Sequence, residues 1–78
     1  MDYLATFFTH YGAMRFHKQC AKESVYAKMA PVPRELSASC GVCVRFEAEN
    51  APKTTEHDDM ECCYIIAING EYLPVEGQ

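Results

Sequence analysis

The chain has 78 residues with 49% hydrophobic side chains, enough for one small core, and we expect a single domain over residues 1–78. Its net charge of −4 and its dispersed cations lack the basic stripe of a nucleic-acid-binding protein, and they disfavour an anionic membrane surface. No run approaches the roughly 20 apolar residues that span a bilayer, and Met1-Asp2-Tyr3 places an acid where a signal peptide carries Lys or Arg. We therefore expect a cytoplasmic protein, whose five cysteines stay thiols without a disulfide framework.

The first part of the chain predicts a strand, a helix and a weaker strand. Residues 3–8 are rich in β-formers, and Thr9 is a suitable N-cap for a helix over residues 10–23. Apolar side chains recur there at the spacing of one helical face: Ala13, Phe16 and Cys20. Residues 25–30 predict a second strand, which ends at Pro31 because proline has no backbone N–H to donate.

A turn and a clear strand follow. Residues 34–39 come after a proline that suits the first position of a short helical turn, so we expect a turn of α or 3₁₀ helix there. Residues 42–47 alternate apolar and polar side chains, which is the strongest strand pattern in the chain. This alternation places Cys43 and Arg45 together on the face of the strand that points away from the core.

The last part of the chain predicts two more strands. Residues 48–61 are polar and without periodicity, so they form either a loop or a short helix from about Thr55. Residues 62–68 are apolar throughout and predict a strand. Asn69-Gly70 is a two-residue turn signal that requires two positive φ angles, and residues 71–75 would pair back as an edge strand.

This order of elements predicts an α+β, ferredoxin-like two-layer sandwich, in which an antiparallel sheet of four to five strands carries one or two helices on one face. On the expected alternation, the other face would present a largely apolar set: Tyr3, Ala5, Phe7, Cys43, Arg45, Ile65 and Ala67. A face of that composition needs cover, so we expect a partner protein or a homodimer there.

The segment Cys40-Gly41-Val42-Cys43 holds the strongest candidates for reactive side chains in the chain. Two cysteines at this spacing can bind a metal, form a disulfide or act as attacking and resolving thiols, and they can also be incidental buried side chains. A thioredoxin-type motif should begin a long helix, whereas this one begins a strand. Cys40 is the better nucleophile, because the backbone amides beside Gly41 can point at an anion.

Five residues around the two thiols are candidates for anion binding. Arg34 and Arg45 each present a planar fork of donors that can hold a persulfide, a phosphate or a carboxylate. Ser37, Ser39 and Gly41 can add hydroxyl or backbone donors. The alternative is that the arginines pair with neighbouring glutamates at the surface and the serines cap their own turn.

A metal site is disfavoured by spacing. Cys62 and Cys63 would be needed to complete a four-cysteine site, but adjacent strand residues point to opposite faces. One of the two is therefore expected in the core, and we expect no metal and no other cofactor. The acids of residues 56–61 are expected to form a solvated loop.

The run Val32-Pro33-Arg34-Glu35-Leu36-Ser37-Ala38-Ser39-Cys40-Gly41, with Arg45 following, resembles the selenium/sulfur carrier-like family of short bacterial and archaeal proteins. The resemblance extends over most of the chain, and this run is its specific part. It implies a ferredoxin-like α+β domain with a single carrier cysteine at Cys40. The chain departs from the family pattern at Cys43, where an aliphatic or small residue is common, and in residues 50–61, which look less helical than the family's second helix.

We therefore expect a carrier, not an enzyme, that holds sulfur or selenium on Cys40 as a persulfide or selenosulfide and exchanges it with donor and acceptor proteins. Arg34, Arg45 and local amides would stabilise the terminal anion, and Cys43 would release the cargo by forming a disulfide with Cys40. Two alternatives stay open. One is a small binding or regulatory module that acts through an apolar sheet face, and the other is a metal or thiol-redox site formed by Cys40 and Cys43.

Overall fold

The described part of the chain combines one helix with one antiparallel sheet. The computed structural model describes residues 1–52, 57 and 59–75. Its elements are β1 (Asp2–Phe7), α1 (His10–Lys22), β2 (Ala27–Pro31), β3 (Val42–Glu47), β4 (Met60–Ile66) and β5 (Tyr72–Pro74). The strand order is β2-β3-β1-β4-β5, and every neighbouring pair is antiparallel. The predicted α+β class is confirmed, and the antiparallel sheet, expected to have four to five strands, has five; the arrangement is compatible with a two-layer sandwich.

Two further expectations concern helices. The short helix considered from about Thr55 begins outside the residues that the structure describes. Among the described residues, no helix combines the length and the apolar character needed to cross a membrane.

The core lies between α1 and one face of the sheet. The helix buries the side chains expected from their spacing: Ala13, Phe16 and Cys20. The ring of Phe16 lies 5.5 Å from that of Phe7 and 5.0 Å from that of Phe46, between centroids. Tilted and edge-on aromatic contacts at these distances add to the burial of apolar area. The predicted helical face is confirmed.

The start of α1 is fixed to the segment that precedes β4. Thr9 is the N-cap, as predicted, and its Oγ1 accepts the N–H of Gly12 at 3.0 Å while donating to Oδ2 of Asp59 at 3.0 Å. The N–H of Phe8 donates to the carbonyl of Asp59 at 2.8 Å. A Cβ on Gly12 would lie 2.5 Å from the Cβ of Asp59, so the close approach depends on glycine. These contacts position the first residues of β4.

The predicted facing of β1 is wrong. Tyr3, Ala5 and Phe7 belong to the core under α1 instead of the opposite face. The cause is the register, which pairs Ala5 with Val44 and Tyr3 with Phe46 on β3. Directly opposed residues share a face, so the odd-numbered residues of β1 follow the core residues of β3. Other members of the predicted set differ in outcome: Ile65 also packs on the core, whereas Cys43 and Arg45 face away from α1 as expected.

The chain itself covers much of the second face. Leu4 and Thr6 point away from α1 and are nonetheless fully buried. We call residues 32–41, which connect β2 to β3, the strap. Within the strap, Leu36 lines a surface groove together with Tyr72 of β5, and the strap then returns to a contact with the start of β4. Leu4 and Thr6 are therefore buried within the chain itself, without a partner protein.

The turn between β4 and β5 is longer than the predicted two residues. The N–H of Ala67 donates to the carbonyl of Glu71 at 2.9 Å, which leaves a three-residue loop. Gly70 takes a positive φ of 90°, whereas Asn69 does not. Asn69 instead accepts the N–H of Glu71 through Oδ1 at 3.1 Å. One left-handed residue is enough for a three-residue hairpin loop.

Candidate functional site

The five cysteines divide into two groups by exposure. Cys20, Cys43 and Cys63 are buried, and Cys40 and Cys62 are half-buried. Burial raises the pKa of the Cys20 and Cys43 thiols above the usual range, and it raises the pKa of Cys63 to about 12. A buried thiolate loses hydration, so these three thiols are poor nucleophiles. Cys40 and Cys62 are the thiols that a reagent can reach.

Cys40 lies near the end of the strap, just before β3. On its C-terminal side, the carbonyl of Gly41 accepts the N–H of Val32 at 3.1 Å, which extends the pairing of β2 with β3. A Cβ placed on Gly41 would meet no atom within 4 Å. The space beside Cys40 is therefore open on the Gly41 side, and Gly41 does not take the left-handed backbone that only glycine adopts readily.

On the N-terminal side of Cys40, Ser39 binds a carboxylate with both of its donors. Its backbone N–H donates to Oε1 of Glu61 at 3.0 Å, and its hydroxyl donates to Oε2 of the same residue at 3.0 Å. Hydrogen bonds to an ionised acceptor are stronger than neutral ones. Ser39 was predicted to bind an anion, and the anion in this structure is the protein's own Glu61, which was expected in a solvated acidic loop.

Arg34 and Ser37 lie on the exposed side of the strap. The chain turns there through a hydrogen bond from the N–H of Leu36 to the carbonyl of Pro33 at 3.0 Å. This is a single turn rather than a full turn of helix over residues 34–39. Among the described residues, the guanidinium of Arg34 makes no ion pair or hydrogen bond with the turn that carries Cys40.

Arg45 is further from Cys40 than its place in the sequence suggested. It lies three residues into β3, which separates its Cα from that of Val42 by about 10 Å. Its side chain lines a surface groove of about 470 Å³ whose other charged residues are Asp2, Lys28 and Glu47. Arg34 is not among the residues that line this groove. Arg45 lowers the pKa of Cys43, against the larger effect of burial, which raises it.

Cys43 lies on the face away from α1, as predicted, but it is fully buried. Its thiol donates to the carbonyl of Pro31 on β2 at 3.6 Å. The sulfur therefore points toward the β2 edge of the sheet. In this conformation the two cysteines of the CxxC segment differ in environment, one buried and one accessible.

Cys62 and Cys63 point to opposite faces of β4, as expected from strand geometry, and Cys63 is the one in the core. The side chain of Tyr64 lies two residues along the same face, close enough for Cys62 to affect the pKa of its hydroxyl. Burial, followed by this neighbour, raises the pKa of Tyr64. The half-buried thiol of Cys62 thus has a hydroxyl donor beside it.

Thr6 lies between two of the thiols in the sheet. It pairs with Cys43 on β3 and with Cys62 on β4. Its Oγ1 is buried and has no hydrogen-bond partner within the described part of the chain. Sequence reasoning did not identify Thr6, Glu61 or Cys62, because each acquires its role from strand register or from a contact distant in the chain.

No metal centre is apparent in the ranges that the structure describes, where no group of three or more His, Cys, Asp or Glu side chains is placed to hold an ion.

Comparison with known proteins gives one match. A family model described as "Putative Se/S carrier protein-like" matches residues 2–57. No curated protein and no solved structure matches the chain. The matched residues run from β1 through the strap and β3, and they include Cys20, Cys40 and Cys43 but end before Cys62.

Proposed function

The chain belongs to the Se/S carrier-like family, and on this basis we propose that Cys40 carries sulfur or selenium as a persulfide or selenosulfide. The observation that carries the proposal is exposure. Of the three cysteines within the family segment, Cys20 is 6% exposed, Cys43 is fully buried and Cys40 is accessible. Cys40 is therefore the family-segment thiol that a donor can approach.

The loading step is a thiol exchange at Cys40. Its thiolate attacks the terminal sulfur of a persulfide on the donor, the donor's S–S bond breaks, and the donor cysteine leaves as a thiolate. Cys40 then holds the transferred sulfur as a persulfide. Transfer to an acceptor thiol repeats the same step in the opposite direction, so no external oxidant or reductant is required.

The strap carries donors of the kind that a terminal anion needs, and in this structure Glu61 occupies both donors of Ser39. The two hydrogen bonds from Ser39 to Glu61 support this role, because donors that hold a carboxylate also suit a persulfide or selenosulfide anion. Arg34, Ser37 and Gly41 lie on the same strap and remain the further predicted donors. Arg45, on the distant part of β3, would contact the docked partner instead of the cargo.

A carrier of this kind needs docking partners and no deep pocket. We propose that it acts in the cytoplasm between a donor and an acceptor protein, and that it is not itself an enzyme. The homodimer stays a prediction, to be decided by the mass of the protein in solution. The homodimer was predicted because the sequence suggested an apolar outer face on the sheet. Three members of that predicted face lie in the core instead: Tyr3, Ala5 and Phe7.

We also assign the fold to the ferredoxin-like arrangement on the basis of connectivity. β1, α1 and β2 form a β-α-β unit, β2 and β3 form a hairpin, and β4 pairs with β1. This agrees with the split βαβ pattern, to which β5 adds an edge strand. The connection between β3 and β4, where a second helix would lie, is described only in part.

Intact-mass measurement tests the function. The reduced protein is incubated with a cysteine desulfurase and cysteine, and we expect the wild type to gain one sulfur atom. Cys62→Ser is the matched control, because Cys62 is the other accessible thiol, and it should still load. The proposal fails if neither the wild type nor Cys62→Ser gains sulfur, or if Cys40→Ser gains as much as the wild type. Selenocysteine in place of cysteine tests the selenium cargo in the same way.

A further inference from the structure

A single surface contact joins the segments that carry the two accessible thiols. Ser39, immediately before Cys40, donates twice to Glu61, which immediately precedes Cys62. The contact spans 22 residues of sequence and brings the end of the strap to the start of β4. The two half-buried cysteines of the chain are thus held on adjoining segments at one end of the sheet.

The sulfur of Cys62 also has a polar environment. Tyr64, two residues further along the same face of β4, brings a phenol hydroxyl near it. On the neighbouring strand β1, Thr6 lies directly opposite Cys62 and its fully buried hydroxyl has no partner within the described residues. Directly opposed side chains in an antiparallel pair have Cβ atoms about 5 Å apart. The hydroxyl of Thr6 can therefore donate a hydrogen bond to a sulfur anion at Cys62.

Cys43 has neither the accessibility nor the polar surroundings of Cys62. It is fully buried, its thiol donates to the carbonyl of Pro31, and burial raises its pKa above the usual range. Thiolate fraction and access both govern the rate of thiol exchange. The cysteine three residues from Cys40 in sequence is therefore less suited to attack at Cys40 than the one 22 residues away.

We propose that Cys62, and not Cys43, is the resolving thiol that discharges Cys40, an inference that rests on the proposed function. The thiolate of Cys62 attacks Sγ of the loaded Cys40, and the bond between that sulfur and the terminal sulfur breaks. The terminal sulfur leaves as sulfide with the proton released by Cys62, and a Cys40–Cys62 disulfide forms. The cargo is reduced by the two electrons that the two cysteines lose, so the step balances without another reagent. A disulfide requires Cα atoms about 4.4–6.8 Å apart, and the Ser39–Glu61 contact is what holds the two cysteine-bearing segments next to each other.

The test follows the fate of a preloaded sulfur atom. Reduced protein is loaded with glutathione persulfide and freed of small molecules, and intact mass and trapped sulfide are then measured over time. Wild type and Cys43→Ser should lose the added sulfur, release sulfide and end two hydrogen atoms lighter than the reduced protein. In Cys62→Ser the loaded form should persist about tenfold longer or more, because attack by a neighbouring thiol has been removed. Cys62→Ala and Cys43→Ala, checked for folding by circular dichroism, repeat the comparison.

Two outcomes overturn the inference while leaving the carrier function intact. In one, Cys62→Ser discharges as fast as the wild type; in the other, Cys43→Ser is the variant that retains its sulfur. Oxidation of the unloaded protein with diamide provides an independent measurement. A Cys40–Cys62 disulfide in fragment spectra supports the pairing even if no variant accepts sulfur, a result that would refute the carrier function alone. A Cys40–Cys43 disulfide refutes the pairing.

Discussion

The contact between Ser39 and Glu61 makes a quantitative prediction about how firmly the strap is held. Both donors of Ser39 reach the carboxylate at 3.0 Å on the protein surface. A hydrogen bond contributes about 0.5–1.5 kcal/mol net, so losing two exposed ones should cost about 1–2 kcal/mol. That free energy corresponds to a change of about 5- to 30-fold in the equilibrium between the held and released strap.

Amide hydrogen exchange at Ser39 measures this equilibrium directly, because its N–H is one of the two donors. In Glu61→Ala we expect the Ser39 amide to exchange about 5- to 30-fold faster than in the wild type. The amide of Val32, which donates to Gly41, should keep its rate. Ser39→Ala removes the hydroxyl bond and leaves the N–H bond, so the residue 39 amide should show a smaller acceleration.

Glu35→Ala is the matched control, since Glu35 is an exposed glutamate on the same strap. Removing its charge tests whether a general loss of negative charge alters exchange. An unchanged rate at Ser39 in Glu61→Ala would show that the contact does not hold the strap. An equal acceleration in Glu35→Ala would assign the effect to charge instead of to the hydrogen bonds, and it would refute the same reasoning.

Two further predictions concern stability. Glycine inside a helix is usually less stable than alanine by about 0.5–1 kcal/mol, but a Cβ on Gly12 would lie 2.5 Å from the Cβ of Asp59. Gly12→Ala should therefore lower the free energy of unfolding by about 1–3 kcal/mol in urea titrations, and a more stable variant would contradict the close approach. Burial raises the pKa of Cys63 from 9.0 to about 12, so the folded state keeps a proton that the unfolded state loses in that interval. The contribution of the Cys63 thiol to the free energy of unfolding is complete below pH 9 and declines toward pH 12. In Cys63→Val, unfolding curves measured from pH 9 to pH 12 should show a smaller decline of the free energy of unfolding. The same decline in the variant as in the wild type would argue against Cys63 as its source.

The elements that the sequence predicted well are those whose patterns are local. The spacing of Ala13, Phe16 and Cys20 defines one helical face, and Thr9 supplies the cap, so α1 was predicted to within one residue of its end. The alternation in residues 42–47 likewise gave the correct bounds of β3 and the correct face for Cys43. In these cases the residues that decide the structure lie within one turn or one strand of each other.

The facing of β1 could not be predicted in the same way. Leu4 and Phe7 lie on opposite faces of β1 and both are fully buried, so the strand is apolar on either alternation. Only its register with β3 determines which face meets α1, and that register is a long-range property. The turn at Asn69 was misjudged for a related reason, because the number of loop residues depends on where β4 and β5 pair.

The candidate site shows the same division. Cys40 was identified from its immediate neighbours, and the structure leaves it accessible. Closeness in sequence was misleading for Cys43, which the sheet buries. The contact of Ser39 with Glu61 joins residues 22 positions apart, and no local pattern indicates such a pair. Alternation along β4 would have placed Cys62 on the face away from the core, once the core face of that strand was known.

The segment that presents Cys40 is held to β4 through Ser39 and to its own start through Gly41, and on the proposed function this limits how a cargo atom can be delivered. Lifting the segment away would break the two hydrogen bonds from Ser39 to Glu61 and the one from Val32 to Gly41, each of which contributes about 0.5–1.5 kcal/mol. The thiol therefore does not travel as a swinging arm does. A sulfur donor of the proposed kind would have to bring its reactive group to a blunt surface, on a projecting loop or at a shallow rim, and a donor whose persulfide lies at the bottom of a narrow channel would be unsuitable.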